Sequence, residues 1–272
     1  EMPKGATGRL QRMGLGEKLG LTEGAWARVQ AWRSGRDLDG GKEHRVKICI
    51  LGAGAIGGYM GAKLAQAGAD VSLVARGPHL AAMREKGLTL IEEGQETTVA
   101  VTASDDAATL GLQDYVIVTL KAHSVPPVVA RMQPLIGDHT TIVSGVNGVP
   151  WWYFHKIGGA LEGTRVRSVD PGDAQWDGFG PDRVLGCVVY PAAEVSEPGT
   201  IRHIEGNRFS LGEPDGTKSD RALALSKALM AAGLKAPVRP RLRDHIWVKP
   251  RGNLSVNPHP AQPPPTLSVP RP

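Results

Sequence analysis

The residues best suited to chemistry begin with a glycine-rich turn, Gly52-Ala53-Gly54-Ala55-Ile56-Gly57-Gly58, directly after the apolar run Val46–Leu51. Gly-x-Gly-x-x-Gly spacing alone is a weak signal, because glycine turns are common. Here it closes a buried-strand pattern and opens a helix pattern, which is the setting of a dinucleotide-binding turn. Gly52 allows the tight turn, Gly54 lets the backbone approach a pyrophosphate, and Gly57 lets the helix pack close to the strand. The amides of the segment Gly52, Ala53, Gly54, Ala55, Ile56 and Gly57 then face phosphate oxygens at a helix N-terminus.

The end of the second strand, read as Val71–Ala75, decides which dinucleotide fits. NAD calls for an acid there to hold the ribose hydroxyls. Asp70 suits by spacing, but it precedes the strand. At about 3.3 Å per residue it lies roughly 15–20 Å from the ligand edge. Arg76 stands at the right end and no acid does. A guanidinium there pairs with a 2′-phosphate through charge-assisted hydrogen bonds, so the expected cofactor is NADP (NADPH). Lys121 follows the strand Tyr115–Leu120, and Asn147 follows Thr140–Ser144 between Gly145 and Gly148. Both fall at the carboxyl edge of the sheet, where open α/β folds bind ligands. Lys121 would neutralise a phosphate or carboxylate. Asn147 would bind ribose, the nicotinamide amide or substrate.

These positions need a scaffold that brings strand ends together, and the pattern supplies one. Helices are expected over Ala55–Ala67, Pro78–Lys86 and Ser124–Leu135, and strands over Leu88–Glu92 and Thr97–Thr102. The β-α-β alternation argues for an α/β, Rossmann-type, mostly parallel sheet with helices on both faces. Beyond Pro150 the strands Val184–Tyr190, Thr200–Ile204 and Arg208–Leu211 read as an antiparallel addition, followed by a helix over Ser219–Ala232. Leu242–Asn257 has a helical pattern interrupted by Pro250. The domain reading is an N-terminal extension of poor order (1–44), a Rossmann dinucleotide-binding domain (45–240), the start of an α-helical substrate domain (241–257) and a Pro-rich tail (258–272). The aromatics Trp151, Trp152, Tyr153 and Phe154 read as core or loop packing.

Composition narrows the function classes. The net charge is +5, but the basic residues are scattered and form no aromatic-interleaved stripe, which argues against nucleic acid as a partner. Cys49 and Cys187 each sit in an apolar run, with no metal-ligand spacing around them. Neither a disulfide nor a metal is expected, and a reducing, cytoplasmic setting fits. No apolar stretch is long enough to span a membrane.

The ordered series of motifs resembles the ketopantoate reductase (2-dehydropantoate 2-reductase) family. The resemblance rests on Gly52–Gly58, Val118-Thr119-Leu120-Lys121-Ala122, Ser144-Gly145-Val146-Asn147-Gly148-Val149-Pro150, Pro198-Gly199-Thr200-Ile201 and Trp247-Val248-Lys249-x-x-x-Asn253-x-x-x-Asn257-Pro258. It implies NADPH-dependent reduction of a 2-oxo acid, 2-dehydropantoate to pantoate, in the pantothenate and coenzyme A route. It implies Lys249 as the catalytic acid, Asn253 and Asn257 facing the substrate, Asn147 touching cofactor and substrate, and Lys121 near the nicotinamide. Positions four apart share a helix face, so Lys249, Asn253 and Asn257 would form one polar stripe. An ammonium can stabilise and then protonate the alkoxide left by hydride addition, and Asn side chains supply donors for a carboxylate.

Several features depart from the family. Pro250 follows Lys249, where the family has an apolar residue, and proline inside a helix costs about 3 kcal/mol and disfavours helical geometry just before it. A break displacing Lys249 is therefore expected. The family continues into a large helical domain with a glutamate and a serine that help bind substrate. This chain runs instead into Pro258-His259-Pro260-Ala261-Gln262-Pro263-Pro264-Pro265, which reads as a frameshift or a gene fragment. An apolar cleft wall is then expected to face water, and a homodimer is compatible only with a complete helical domain. The leading function is the reductase. The alternatives are a catalytically incomplete nucleotide-binding piece, an opine- or hydroxyacid-type dehydrogenase, and, from the loop alone, a flavin protein.

Overall fold

In the computed structural model, which describes residues 45–256, the run KICIL becomes β1 (Lys47–Leu51), exposed only at Lys47. The glycine turn leads into α1 (Ala55–Gln66), then β2 (Asp70–Val74), α2 (Gly77–Lys86), β3 (Leu88–Glu92), β4 (Gln95–Val99) and β5 (Thr102–Ser104). Next come β6 (Tyr115–Val118), β7 (Thr141–Ser144), the short α3 (Ala174–Phe179), β8 (Val184–Val189), β9 (Ala192–Glu197), β10 (Thr200–Glu205) and β11 (Phe209–Gly212). Two helices close the series, α4 (Asp220–Ala231) and α5 (Leu242–Val256). By contacts the chain divides at Val46/Lys47, and these elements belong to the second unit. The expected extension 1–44, Asn257 and the tail 258–272 lie outside the described residues.

The main sheet has seven strands in the order β11-β8-β7-β6-β1-β2-β5. All its pairings are parallel except β11 with β8. The chain steps from β1 to β2 on one side, and later to β6 on the other. That reversal makes a switch point between β1 and β6, where a crevice opens beyond the carboxyl ends of the strands. The inner strands carry continuous apolar runs because both faces are covered. Cys49 and Leu51 join Val116, Val118, Ile142, Trp152, Phe179, Val188, Leu242 and Ile246 in one buried cluster. Each large side chain buried this way contributes about 1.5–3 kcal/mol. Trp151 and Trp152 are core residues, and Tyr153 and Phe154 are half-buried.

The strands expected as one antiparallel addition are divided between two sheets. β8 pairs parallel with β7 inside the main sheet, and β11 returns antiparallel beside it. β10 belongs to a separate four-stranded sheet, ordered β4-β3-β10-β9, in which β3 and β10 are parallel. β9 went unread because its mostly exposed sequence AAEVSE has no apolar alternation. The single strand expected over Thr97–Thr102 is the end of β4 and the start of β5. The α-helix expected over Ser124–Leu135 is 3₁₀ in Pro126–Leu135, where Pro126, Pro127 and Pro134 cannot donate helical hydrogen bonds.

Helix α1 is wedged between the two sheets, and its glycines explain how. A Cβ on Gly61 would lie 2.6 Å from Leu73 of the main sheet, and one on Gly58 would lie 2.7 Å from Ile201 of the small sheet. Side chains fasten the same joint. Lys63 Nζ donates to Glu92 at 2.8 Å, Tyr59 Oη donates to Glu92 at 3.2 Å, and the Tyr59 ring stacks on His203 at 4.4 Å.

Helix α5 corrects the expectation at Pro250. The helix runs through that residue, so Lys249 is not displaced from it. At that position proline cannot donate the helical hydrogen bond to the Ile246 carbonyl. The preceding turns are anchored by buried Leu242 and Ile246, and by Arg243, which donates to the carbonyls of Tyr153 and His155. Among the described residues no helix is long and apolar enough to cross a membrane, and no cluster of His, Cys, Asp and Glu is arranged to hold a metal.

Candidate functional site

The glycine loop crosses the top of β1 and is held from beneath. Gly52 and Ala53 N–H both donate to the Val74 carbonyl, and Thr119 Oγ1 donates to the Gly52 carbonyl at 2.7 Å. The glycines take different geometric parts. Gly52 has φ +104°, a region that disfavours any side chain. A Cβ on Gly57 would sit 2.5 Å from Thr119 Oγ1 and closer still to the Gly52 carbonyl oxygen. A Cβ on Gly54, the N-cap of α1, would meet nothing within 4 Å, so that position faces open space. The first turn of α1 contains no acidic residue, leaving the helix N-terminus free to attract an anion.

A cleft of about 580 Å³ opens beside this loop. Gly52, Ala53, Gly54, Arg76, His79, Asp105, Leu120, His123 and Arg131 are on its wall. Arg76 is the extended N-cap residue of α2, exposed and without an ion-pair partner among the described residues. Asp70 stands in register with Lys47, at the opposite end of the sheet from the loop. No acid stands at the end of β2, as expected, but one reaches the cleft from the neighbouring strand: Asp105 lies on its wall. It follows β5, which runs parallel to β2 and therefore ends at the same edge. Arg84 Nη2 partly neutralises it at 3.5 Å.

A second, small cavity of about 20 Å³ lies further along the carboxyl edge. Ser144, Asn147, Trp152, Cys187 and Lys249 line it. Lys249 Nζ donates to Asn147 Oδ1 at 2.7 Å and also to the Val189 carbonyl. Its ammonium stands 5.7 Å from the centre of the Tyr190 ring. Burial holds the Lys249 pKa below the ordinary lysine value. Burial also pushes the Cys187 thiol up to about 12, so it stays protonated and serves as lining.

The structure thus brings Asn147 and Lys249 into contact across 102 residues of sequence. It places Lys121 at the same edge, exposed, as the N-cap of the 3₁₀ turn Ala122–Ser124 and outside both cavity walls. Ala55, Ile56 and Gly57 form the first turn of α1. Asn253 lies one turn beyond Lys249 along α5. Sequence reasoning passed over His79, Asp105, His123 and Arg131. The one available signal was the closeness of His79 to Arg76.

Comparison with known proteins points to one group. The family model described as ketopantoate reductase PanE/ApbA matches residues 48–216. A 2-dehydropantoate 2-reductase from Mesorhizobium japonicum is 58% identical over 214 residues, covering 78% of this chain and 66% of that protein. A crystal structure from Ralstonia solanacearum MolK2, assigned as a ketopantoate reductase, is 44% identical with a TM-score of 0.75, covering 78% of this chain and 66% of its own. The crystal structure of 2-dehydropantoate 2-reductase from Geobacter metallireducens GS-15 is 25% identical with a TM-score of 0.66, covering 78% of this chain and 64% of its own. The chain therefore spans a little under two thirds of the length of these relatives.

Proposed function

The chain belongs to the ketopantoate reductase family PanE/ApbA, and on that premise we propose that it binds NADPH at the glycine loop and reduces a 2-oxo acid, 2-dehydropantoate, to pantoate. The observation that carries the reading is the contact of Lys249 Nζ with Asn147 Oδ1, at the sheet edge that also holds the glycine loop. The cleft suits a phosphorylated dinucleotide: Gly54 leaves the loop open, α1 begins without an acid, and Arg76 is unpaired among the described residues. In this reading Gly52–Gly57 hold the pyrophosphate, Arg76 the 2′-phosphate, and Lys121 and Asn147 the nicotinamide side. NADPH supplies the hydride when bound.

Lys249 then supplies the proton. As the substrate carbonyl oxygen gains negative charge, an ammonium beside it stabilises that charge and protonates the oxygen. Asn147 accepts one Lys249 N–H and so fixes where the ammonium points. A donor whose pKa is lowered by burial gives up its proton more readily near neutral pH. Asn253 and Asn257 are proposed to meet the substrate carboxylate. The domain assignment that accompanies this reading is a dinucleotide-binding domain over 45–240 and the opening of a helical substrate domain over 241–257. With 2-dehydropantoate as substrate, the reaction serves pantothenate and coenzyme A formation.

The test is NADPH oxidation by the purified chain with and without 2-dehydropantoate, alongside direct binding of NADPH and NADH. Ketopantoate-dependent oxidation with preference for NADPH supports the proposal. NADPH binding without turnover leaves a dinucleotide-binding chain and refutes the reductase activity. Failure to bind either dinucleotide refutes the proposal altogether.

A further inference from the structure

His79 lies in the first turn of α2, three residues after Arg76, and its half-buried ring is hydrogen-bonded to backbone at both nitrogens. Nε2 is 2.7 Å from the Ala53 carbonyl oxygen, and Gly199 N–H donates to Nδ1 at 2.8 Å. An amide N–H can only donate, so Nδ1 must accept, and the ring proton belongs on Nε2. The neutral Nε2–H tautomer satisfies both contacts at once. It makes His79 a strut between the phosphate loop and the turn joining β9 to β10.

The far end of the strut is firm. The Gly199 carbonyl accepts from Thr89 N–H at 2.9 Å, tying the turn to β3. A Cβ on Gly199, whose φ is +81°, would lie 2.9 Å from the Ala82 Cβ, so the turn packs directly on α2. The near end acts on the loop. The Ala53 carbonyl and the Gly54 N–H belong to one planar trans peptide, so fixing the direction of the oxygen fixes the N–H in the opposite direction. Gly54 is the loop position that faces open space.

We infer that His79 is a positioning residue for the dinucleotide: its Nε2–H holds the Ala53 carbonyl so that the Gly54 amide is set for a phosphate oxygen. The inference rests on the dinucleotide reading above and adds a residue to it. It also gives the small sheet a part in cofactor binding, since the strut is braced there.

Two near-isosteric variants separate positioning from plain stabilisation. His79→Gln places an amide nitrogen near the Nε2 position and keeps the donor to Ala53. His79→Asn places an oxygen near Nδ1, keeps the acceptor for Gly199 and loses that donor. Each forfeits one neutral hydrogen bond, so similar losses of Tm are expected. Positioning requires that His79→Gln keep NADPH affinity within about twofold, while His79→Asn weakens it about five- to tenfold, the scale of one lost hydrogen bond. Equal affinities in the two variants, or affinities that simply follow Tm, overturn the inference. The amide resonance of Gly54 in the free chain gives a readout that needs no cofactor, and it should move in His79→Asn and stay in His79→Gln. Should the wild-type chain take up no dinucleotide, the functional reading falls, and an unmoved Gly54 resonance in His79→Asn then overturns the positioning claim separately.

Discussion

Gly54→Ala and Gly57→Ala add the same methyl group to the same loop, three residues apart, with opposite expected consequences. At Gly57 the new Cβ would lie 2.5 Å from Thr119 Oγ1 and closer still to the Gly52 carbonyl oxygen. Real Cβ contacts are wider by more than half an ångström, and one of the two neighbours is backbone. The loop or helix must therefore move. Overpacking of this kind costs about 1–3 kcal/mol, and at about 2–4 °C per kcal/mol for a domain of this size Tm should fall by about 2–12 °C. At Gly54 the Cβ meets nothing within 4 Å, and the backbone, with φ −73°, suits alanine. Tm should change little, but the methyl group occupies the approach proposed for the pyrophosphate, and NADPH should bind about tenfold more weakly or worse, about 1.4 kcal/mol. Thermal melting and NADPH fluorescence titration on the two variants read both quantities. A Gly54→Ala chain that binds NADPH like the wild type, or a Gly57→Ala chain that melts unchanged, refutes the geometric assignment of the loop.

Other outcomes follow from the same structure. Lys249→Met should leave NADPH binding within about twofold and reduce turnover by about 10²–10⁴-fold, as loss of a general acid does, measured by steady-state oxidation. If Lys249 is the proposed acid it must be protonated to act, and burial lowers its pKa, so activity should fall as pH rises through a value below the ordinary lysine range, and a pH–rate profile locates that limb. Arg76→Ala should weaken NADPH by about 10–100-fold, the loss of charge-assisted hydrogen bonds, and leave NADH unchanged in parallel titrations. At Glu92, burial raises the pKa, but the hydrogen bond and charge of Lys63, with Tyr59 and His203, more than offset it and leave the carboxyl below its usual value. The stability this supplies is present above the unfolded-state pKa and is lost as pH falls through the lower folded-state pKa. Glu92→Gln should therefore lower Tm at neutral pH and flatten its acid dependence, as read by melting from pH 3 to 7.

Much of the fold is local, and such parts are legible in the sequence. The apolar run of β1, the glycine turn and α1 follow from strand burial, a required positive φ at Gly52 and close packing at Gly57, all within about twenty residues. Strand direction also suffices to put Asp70 at the wrong end of the sheet and Arg76 at the cleft. Pro250 shows where a local rule misleads. Its helical penalty is real, but anchoring by Leu242, Arg243 and Ile246 holds the helix through it.

By itself, then, the sequence determined which segments are buried, where the chain turns and which strand ends carry polar residues, because hydrophobic period and turn chemistry act over a few residues. Only the tertiary structure decided which strands are neighbours. It sent β8 and β10 to different sheets, brought Asp105 to the cleft through the three-residue strand β5, set Lys249 against Asn147, and braced His79 against Gly199. The physical reason is that apolar periodicity specifies that a face is covered without specifying by what. Pairing and side-chain meetings between distant residues are settled only when the whole core packs.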